Sequence, residues 1–276
     1  MKKIRVAFLG SRPLGYLTLK LLSEIEGVEV VASVVKEPSA TAWWNTDPYD
    51  IAINKIDNHR ELNNIDFDFG VSVNYWKIIE SELIKKPRLG FVNLHHSYNL
   101  CLRGRDMASH AIINARKSHQ WYHGTTLHYT DDGLDTGPII SARACEITES
   151  ETAWTLFNKT DELGRQLLEE WLPRLILARV PSAYPEPNNP LNMKARKNEK
   201  YIENIFADPL LTYDIVRAFD FKLHYDPAYT EIDGREVRLT VDKEFAGREI
   251  LSVDEKRVVY EVKNNAGNDG GRGRNF

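Results

Sequence analysis

IRVAFLGSRPLGYLTLKLLSEIEGVEVVASVV, residues 4–35, is the stretch of the sequence that decides the fold. Its first apolar run ends at Gly10 and Ser11 and is typical of a strand buried on both faces, as in a parallel sheet. Pro13 can begin a helix, and apolar residues then recur at helical spacing until Gly27. A run rich in β-branched residues follows, so the stretch predicts two parallel strands joined by a helix in a right-handed crossover.

The next 145 or so residues repeat this alternation of strands and helices. Residues 37–66 are polar and irregular, which predicts a loop with one short helix. After them we expect a strand that runs into a helix, FDFGVSVNYWKII, then the strands GFVNLHHS, HGTTLHYT and IISARACEI and the helices MASHAIINAR and ETAWTLFNKTDELGRQLLEEWLPRLILA. The predicted fold class is α/β, a Rossmann-like, mostly parallel sheet with flanking helices.

A change of composition near residue 180 predicts a boundary between two domains. VPSAYPEPNNPLNMKARKNEK, residues 180–200, holds four prolines and a basic cluster, and prolines in such numbers end regular structure. We expect a main domain over residues 1–180, a small C-terminal α+β appendage over residues 181–263, and a disordered tail over residues 264–276, which are rich in glycine and asparagine.

The composition excludes several functional classes. The 276 residues are 42% hydrophobic, enough for a buried core, and their net charge of −4 creates no overall basic field for nucleic acid. Arg5 interrupts the first apolar run, and no stretch approaches the roughly 20 apolar residues that span a bilayer, so we expect a cytoplasmic protein without a membrane partner. Cys101 and Cys145 form no CxxC pair, which favours buried side chains over a zinc site or a nucleophile.

The loop GSRPLG, residues 10–15, joins the first strand to a helix N-terminus, where a phosphate can bind. It lacks the lysine and hydroxyl residue of a Walker A loop, and Arg12 stands where a dinucleotide-binding fingerprint has glycine. Two interpretations stay open: a phosphate site aided by Arg12, or a tight turn with a surface arginine.

The window NLHHSYNLCLRGRD, residues 93–106, concentrates polar side chains at the end of a predicted strand. Because side chains alternate along a strand, Asn93 and His95 project to the same face, roughly 6.6 Å apart along its axis. The carboxyl end of a parallel strand opens into the crevice where α/β sheets bind ligands. An amide and an imidazole there provide two neutral donors for an oxygen that gains negative charge. His95 and His96 face opposite sides of the strand and would make a poor metal chelate.

An acidic turn, DDGLDTGP, residues 131–138, follows the strand HGTTLHYT. If that strand lies beside FVNLHHS, a carboxylate of the turn can reach His95, and Asp135 is the best placed because Gly133 and Gly137 free the backbone on either side. A carboxylate beside an imidazole holds its orientation and supports proton transfer. Asp131 and Asp132 have turn capping as their simpler interpretation.

Taken together, residues 90–140 resemble the folate-dependent formyltransferases, which carry an Asn-x-His on a strand, an Arg-Gly segment, a G-x-T-x-H strand and an acidic turn. The resemblance places the catalytic residues at Asn93, His95 and Asp135 and implies N10-formyltetrahydrofolate as the cofactor and no metal. One departure is HHSYNLCLRG in place of the commoner H-P-S-L-L-P-x-Y-R-G, so that His96 occupies the proline position.

The resemblance also bears on the acceptor of the formyl group. The C-terminal segment IVRAFDFKLHYDPAYTEIDGREVRL is similar to that of sugar N-formyltransferases of O-antigen and lipopolysaccharide synthesis. It implies a nucleotide-linked amino sugar, such as a dTDP-linked 4-amino-4,6-dideoxyhexose, and a homodimer. A formyltetrahydrofolate hydrolase, a methionyl-tRNA formyltransferase and a non-catalytic nucleotide-binding protein stay as alternatives. The base and the position of the amine, C3 or C4, stay open.

Binding residues follow from the same resemblance. For the cofactor we expect an apolar segment after a strand and the backbone of the acidic turn: Tyr75, Trp76, Ile78, Asp131, Gly133, Leu134 and Pro138. For the diphosphate we expect Arg103 and Arg105, with Arg12 as the weaker candidate, because a guanidinium binds phosphate oxygens in pairs. One aromatic ring of the C-terminal segment would stack on the base: Phe219, Phe221, Tyr225 or Tyr229.

Overall fold

A computed structural model describes residues 2–178, 180–184, 197–205, 207–222, 224–232, 234–241, 249–253 and 256–262. The chain divides into two compact units between Ala195 and Arg196. This division comes later than the boundary expected near residue 180, and Ala183 still pairs with Ile139 of the first unit through backbone hydrogen bonds of 2.6 and 3.0 Å. The segment 185–196 and the predicted disordered tail lie outside the described residues.

The first unit is built on a seven-stranded sheet with the order β3-β2-β1-β4-β5-β6-β7. The first five strands in this order pair in parallel, and β6 and β7 add two antiparallel strands at one edge. The predicted α/β class with a mostly parallel sheet is thereby confirmed. The strands are β1 Ile4–Gly10, β2 Val28–Val34, β3 Lys55–Ile56, β4 Phe69–Val73, β5 Phe91–His95, β6 Tyr122–Tyr129 and β7 Ile139–Glu146.

Helices flank this sheet. They are α1 Arg12–Glu24, α2 Pro48–Ile51, α3 Ser81–Lys85, α4 Met107–Ser118 and α5 Ala153–Leu177, with 3₁₀ turns at His59–Asn64 and Tyr98–Leu100. The predicted long helix is α5, which begins where the Thr152 hydroxyl accepts a hydrogen bond from the Thr155 N–H. No helix among the described residues is long and apolar enough to cross a membrane.

Two segments differ from the sequence-based expectation. Residues 37–66 contain more than one short helix, because capping boxes that begin at Asp47 and at Asn58 start α2 and the first 3₁₀ turn, with β3 between them. The strand β4 does not run directly into a helix. Asn74 has a left-handed backbone, with φ of 55°, and residues 74–80 are irregular until α3 begins at Ser81.

The core lies on both faces of the sheet because β1, β4 and β5 are buried on both sides. One face packs against α1 and α5, and it includes Phe8, Val71 and Leu94. A second cluster, on the opposite face, includes Leu9 and Phe91.

Helix α5 approaches β5 very closely at one point. A Cβ added to Gly164 would lie 2.7 Å from Leu94 Cδ2 and 3.1 Å from Leu14 Cδ2, well inside ordinary van der Waals contact. Glycine at this position therefore sets the spacing between the helix and the central strand.

The second unit pairs a helix with a four-stranded antiparallel sheet of order β10-β11-β9-β8, an α+β arrangement. Its elements are a 3₁₀ turn at Lys197–Lys200, α6 Pro209–Ala218, β8 Ala228–Ile232, β9 Arg235–Thr240, β10 Glu249–Val253 and β11 Lys256–Val262. The Asp208 carboxylate caps the N-terminus of α6 by accepting from the Leu211 N–H.

Candidate active site

Asn93 and His95 lie on one face of β5, at its carboxyl end, as the alternation of the strand predicts. The neighbouring strand β6 runs antiparallel, so that Asn93 stands opposite His128 and His95 opposite Thr126. The Asn93 side chain contacts its partner directly, with Nδ2 3.2 Å from His128 Nε2. Asn93 is half-buried and His95 is buried.

His95 lies between two hydrogen-bond acceptors. Its Nε2 is 2.8 Å from the carbonyl oxygen of Leu102 and its Nδ1 is 3.6 Å from Oδ2 of Asp135. The Asp135 carboxylate also accepts a hydrogen bond of 3.2 Å from the Gly104 N–H. Both side chains are about nine-tenths buried, which strengthens the electrostatic interaction between them. The predicted convergence of Asn93, His95 and Asp135 is therefore present in the structure.

The loop after β5 supplies the acceptor for His95. Its Ser97 hydroxyl accepts a hydrogen bond of 2.8 Å from the Leu102 N–H, which folds the chain back towards the strand. Asn99 and Leu100 have left-handed backbones, with φ of 50° and 55°. This is the segment in which the sequence departs from the family pattern.

The acidic turn reaches His95 through an unusual backbone. Asp135 has φ of 50°, and a Cβ on Gly137 would lie 1.8 Å from the carbonyl oxygen of Tyr129, so only glycine fits there. Asp131 caps the turn by accepting from the Gly133 N–H and the Thr136 hydroxyl, at 3.1 and 2.6 Å. The simpler interpretation of Asp131 as a turn cap thus describes its contacts.

The other acidic residue of the turn, Asp132, points elsewhere. Its carboxylate accepts hydrogen bonds from the Ser81 hydroxyl and the Lys85 ammonium. These contacts tie the turn to α3. Of the three carboxylates of the turn, Asp135 is the one whose contacts include His95.

His128 is part of this site although the sequence did not single it out. It is 2% exposed, and its Nδ1 lies 2.9 Å from the carbonyl oxygen of Tyr129. Burial lowers the pKa of His128, and the opposing charge of Asp135 does not reverse this. The spacing of Thr126 and His128 repeats that of Asn93 and His95, and an antiparallel pairing of the two strands would have revealed the contact.

His96 faces the opposite side of β5. Its Nδ1 is 3.4 Å from the Thr125 hydroxyl and its Nε2 is 3.3 Å from Oδ1 of Asp161 on α5. Burial lowers the pKa of His96 to about 3, so the ring is neutral at neutral pH. Burial raises the pKa of Asp161 to about 7, against the opposing charge of Arg12.

The ring of His96 packs against Phe157, which belongs to a cluster of aromatic side chains. Phe157 lies 5.5 Å from His96 between ring centroids and 5.8 Å from Trp43, which in turn packs edge to face with Trp154 at 5.1 Å. These contacts join the segment after β2 to the start of α5. His95 and His96 thus lie in different surroundings, and they do not face a common metal position.

The family model for formyl transferases matches residues 29–172, which include the whole Asn93, His95 and Asp135 arrangement. The chain belongs to the formyl transferase family. The family and enzyme class predicted from the sequence are therefore confirmed.

Solved structures of formyltransferases share the fold. The N-formyltransferase from Helicobacter canadensis, in complex with folinic acid and dTDP-3-aminofucose, has a TM-score of 0.71 at 20% identity and matches over 94% of this chain and 99% of that chain. A 4-N formyltransferase from Francisella tularensis has a TM-score of 0.74 at 18% identity, over 88% of this chain and 98% of that chain. At these identities the likeness shows the fold alone.

A curated relative carries a different acceptor in its name. The methionyl-tRNA formyltransferase of Wigglesworthia glossinidia brevipalpis is 26% identical over 257 residues, 86% of this chain and 77% of that protein. The chain spans less than half of the length of further methionyl-tRNA formyltransferases that it matches.

In this formyl transferase, the predicted cofactor residues fall into two segments. Tyr75 and Trp76 pack together after β4, with ring centroids 4.7 Å apart, and the Tyr75 hydroxyl lies 2.7 Å from His59 Nδ1. Ile78 and Leu134 are 77% and 38% exposed, so these apolar side chains are open to contact with a ligand. In the turn, Gly133 is exposed and donates to the Asp131 cap, whereas Pro138 is buried and its carbonyl accepts from the Tyr129 N–H. Their contact with the cofactor stays a prediction.

The three arginines predicted for the diphosphate do not share one place in the formyl transferase. Arg105 is exposed and donates a hydrogen bond of 3.1 Å to the carbonyl oxygen of Trp76, in the predicted cofactor segment. Arg103 is partly buried in the same loop. The Arg12 guanidinium instead lies 5.4 Å from the Trp44 ring centroid, and its charge acts on Asp161.

The four aromatic candidates for the base lie in the second unit and make contacts within it. Phe219 is 7% exposed, with the Lys200 ammonium 5.4 Å from its ring centroid, so it packs as part of that unit. Phe221 contacts Tyr225 at 5.1 Å between ring centroids, and Tyr229 contacts Tyr201 at 5.4 Å. Stacking on a base stays a prediction for all four.

Proposed function

We propose that this formyl transferase moves the formyl group of N10-formyltetrahydrofolate to the amine of a nucleotide-linked amino sugar, with residues 1–180 as the catalytic part. The observation that carries the proposal is the meeting of His95 and Asp135, 3.6 Å apart, beside Asn93 on one face of β5. This combination of an imidazole, a carboxylate and an amide suits attack by an amine on a planar carbonyl carbon.

The proposed reaction divides its tasks among the three side chains. The neutral amine attacks the formyl carbon and forms a tetrahedral intermediate, whose oxyanion accepts hydrogen bonds from Asn93 and His95, worth on the order of 3 kcal/mol per donor. The bond from the carbon to N10 of the folate then breaks. The amine gives up a proton to His95 or Asp135, and N10 takes one up.

The geometry refines the expected role of His95. Both of its ring nitrogens already face acceptors, Leu102 and Asp135, so it donates to the oxyanion only after Nε2 leaves the Leu102 carbonyl. Such a shift is ordinary, since catalytic hydrogen bonds often tighten only when the substrate binds. Asn93, by contrast, has its amide in place before the reaction begins.

Three observations support a sugar acceptor. The N-formyltransferase from Helicobacter canadensis was solved with a dTDP-linked amino sugar, and the structural neighbour from Francisella tularensis is named a 4-N formyltransferase. The chain's net charge of −4 does not suit the recognition of transfer RNA. We therefore propose, as the substrate, a dTDP-linked 4-amino-4,6-dideoxyhexose made for a surface polysaccharide such as O-antigen. We also propose a homodimer as the working form, on the sole ground that the C-terminal segment resembles that of the sugar N-formyltransferases.

Methionyl-tRNA is the second candidate acceptor, because the relative with 26% identity over 257 residues bears that name. The same Asn93, His95 and Asp135 would serve the reaction, since the attacking group is again a primary amine. The two candidates differ only in what presents the amine.

A panel of acceptors tests the proposal. The protein is incubated with N10-formyltetrahydrofolate and one acceptor at a time: dTDP-, GDP- and UDP-linked 3-amino and 4-amino sugars, and methionyl-tRNA. Mass spectrometry then measures the mass of each acceptor. We expect a mass gain of one formyl group on a dTDP-linked 4-amino sugar. Gain on methionyl-tRNA alone supports the second candidate, and release of formate without any acceptor indicates a hydrolase.

A further inference from the structure

The side chain of Asn93 contacts one residue that the reaction above does not use. This residue is His128, directly opposite on β6, with its Nε2 3.2 Å from Nδ2 of Asn93. His128 is 2% exposed, so it does not itself meet a ligand through its surface.

The proton of His128 is placed by its other contact. Nδ1 lies 2.9 Å from the carbonyl oxygen of Tyr129, and a carbonyl oxygen can only accept a hydrogen bond, so Nδ1 carries the hydrogen. Burial lowers the pKa of His128 and keeps the ring neutral at neutral pH. Nε2 therefore has no hydrogen and presents a lone pair to Asn93.

That lone pair fixes which end of the amide faces it. If the Asn93 side chain turned by half a turn, its Oδ1 would meet the Nε2 lone pair at the same distance, and two acceptors would repel each other. With Nδ2 towards His128, one N–H is donated and the second N–H of the same nitrogen stays for the crevice. The amide carries both an acceptor oxygen and a donor nitrogen, so its orientation depends on whether its neighbour accepts or donates.

We propose that His128 is a positioning residue that holds the Asn93 amide with an N–H, and not its carbonyl, towards the oxyanion of the intermediate. The inference rests on the proposed formyl transfer and specifies how Asn93 serves it. Asn93 then acts as a donor to the oxygen of the formyl group and not as an acceptor for the hydrogens of the amine. Because the amide is set before the substrate arrives, it needs no reorganisation in the transition state.

Three variants test this role by kinetics. In His128→Gln the side-chain oxygen can take the place of Nε2 and accept from Asn93, whereas in His128→Met an apolar chain of similar length cannot. The matched control is His123→Met. His123 is also on β6, is 1% exposed and has its pKa lowered by burial to about 3, but it stands opposite Cys145 of β7, whereas His128 stands opposite Asn93.

We expect His128→Met to lower kcat roughly 10- to 100-fold with little change in the KM of either substrate, as loss of one oriented donor should. His128→Gln should restore most of that loss, and His123→Met should stay within about 3-fold of the unaltered protein. The proposal is overturned if His128→Met keeps full kcat, or if His128→Met and His128→Gln lose the same fraction of kcat. It is also overturned if His128→Met raises KM and leaves kcat unchanged.

A second measurement uses the unaltered protein and does not depend on how the variants fold. Nitrogen-15 spectra of the imidazoles at neutral pH report the tautomer of His128 and any coupling between its Nε2 and Nδ2 of Asn93. Protonated Nδ1 with a coupled, unprotonated Nε2 supports the proposal, and protonated Nε2 overturns it. If no acceptor is formylated the proposed function fails, but this spectrum still decides the role of His128.

Discussion

Two histidines that are neighbours in the chain have opposite surroundings in the fold. His95 lies between the Leu102 carbonyl and the Asp135 carboxylate, on the face of β5 that also carries Asn93. His96 lies on the other face, where burial keeps its ring neutral beside Asp161. The strand turns each successive side chain to the opposite side of the sheet, so one residue of separation places them in different environments.

The difference shows that the role of a histidine depends on its partners and not on its place in a motif. Nearby acceptors and a carboxylate suit His95 to exchange a proton. His96, packed against Phe157, joins β5 to α5 and the segment after β2, which is a structural task. The HH pair therefore combines a candidate catalytic residue with a packing residue, and the following experiments test this division.

The largest effect is expected from exchanging each histidine for glutamine. His95→Gln should lower kcat about 10³-fold because glutamine cannot exchange a proton. His96→Gln is the matched control and should change kcat by less than about 3-fold, with its cost appearing in stability. Steady-state kinetics with formyl-folate and the acceptor measure both, and equal losses in kcat would contradict the division of the two faces.

A smaller loss is expected from the carboxylate that faces His95. Asp135→Asn should lower kcat roughly 10²-fold, since the amide neither holds the imidazole by charge nor accepts a proton. Asp131→Asn serves as the control in the same turn, because Asp131 bonds to Gly133 and Thr136 and not to His95. A normal kcat in Asp135→Asn, with the protein folded by circular dichroism, would remove Asp135 from the mechanism.

Much of this fold could be predicted because it depends on local patterns. The apolar runs of β1, β2, β4 and β5 and the spacing of α1 and α5 are visible in the sequence. Residues 37–66 and 74–80 were not predictable in the same way. Their course depends on side-chain caps at Asp47 and Asn58 and on a left-handed Asn74, which are set by the tertiary contacts of the folded chain.

The alternation of side chains along a strand was enough to predict part of the candidate site. The parts that depend on strand register or on backbone groups could not be predicted from the sequence. Asn93 and His95 share a face by the period of the strand alone. His128 required knowledge that β6 is antiparallel and which residues pair. The Leu102 carbonyl that receives the His95 hydrogen is a backbone group, and every residue type carries the same one.

Arg103 and Arg12 allow the His95 and His96 sides to be compared in substrate binding. The expected change in KM is smaller than the losses of kcat above. Arg103→Ala, in the loop on the His95 side, should raise the KM of the sugar nucleotide about 10-fold by removing a charged hydrogen bond to the diphosphate. Arg12→Ala, whose guanidinium lies by Trp44 and influences Asp161, should leave that KM within about 2-fold. A raised KM in Arg12→Ala together with an unchanged KM in Arg103→Ala would place the diphosphate on the His96 side.

The smallest effect concerns stability and pH on the His96 side. The pKa of Asp161, raised by burial from 3.8 to about 7, means that the folded state favours the protonated carboxyl. Its contribution to the free energy of unfolding is complete below about pH 4 and is lost as the pH rises through 7. Asp161→Asn should remove this dependence and, at pH 8, unfold at a free energy about 1 kcal/mol higher than the unaltered protein. Urea titrations at pH 5 and pH 8 measure it, and identical pH dependence in the two proteins would contradict it.

Gly164 of α5 packs against the face of β5 opposite Asn93 and His95, and its lack of a side chain nevertheless affects where those two residues lie. A methyl group at that position would push on Leu94, the residue between Asn93 and His95, because it would lie 2.7 Å from the leucine side chain. A displaced Leu94 would carry both neighbours with it. A substitution at Gly164 in α5 would then lower the measured activity, although Gly164 lies on the opposite side of β5 from Asn93 and His95.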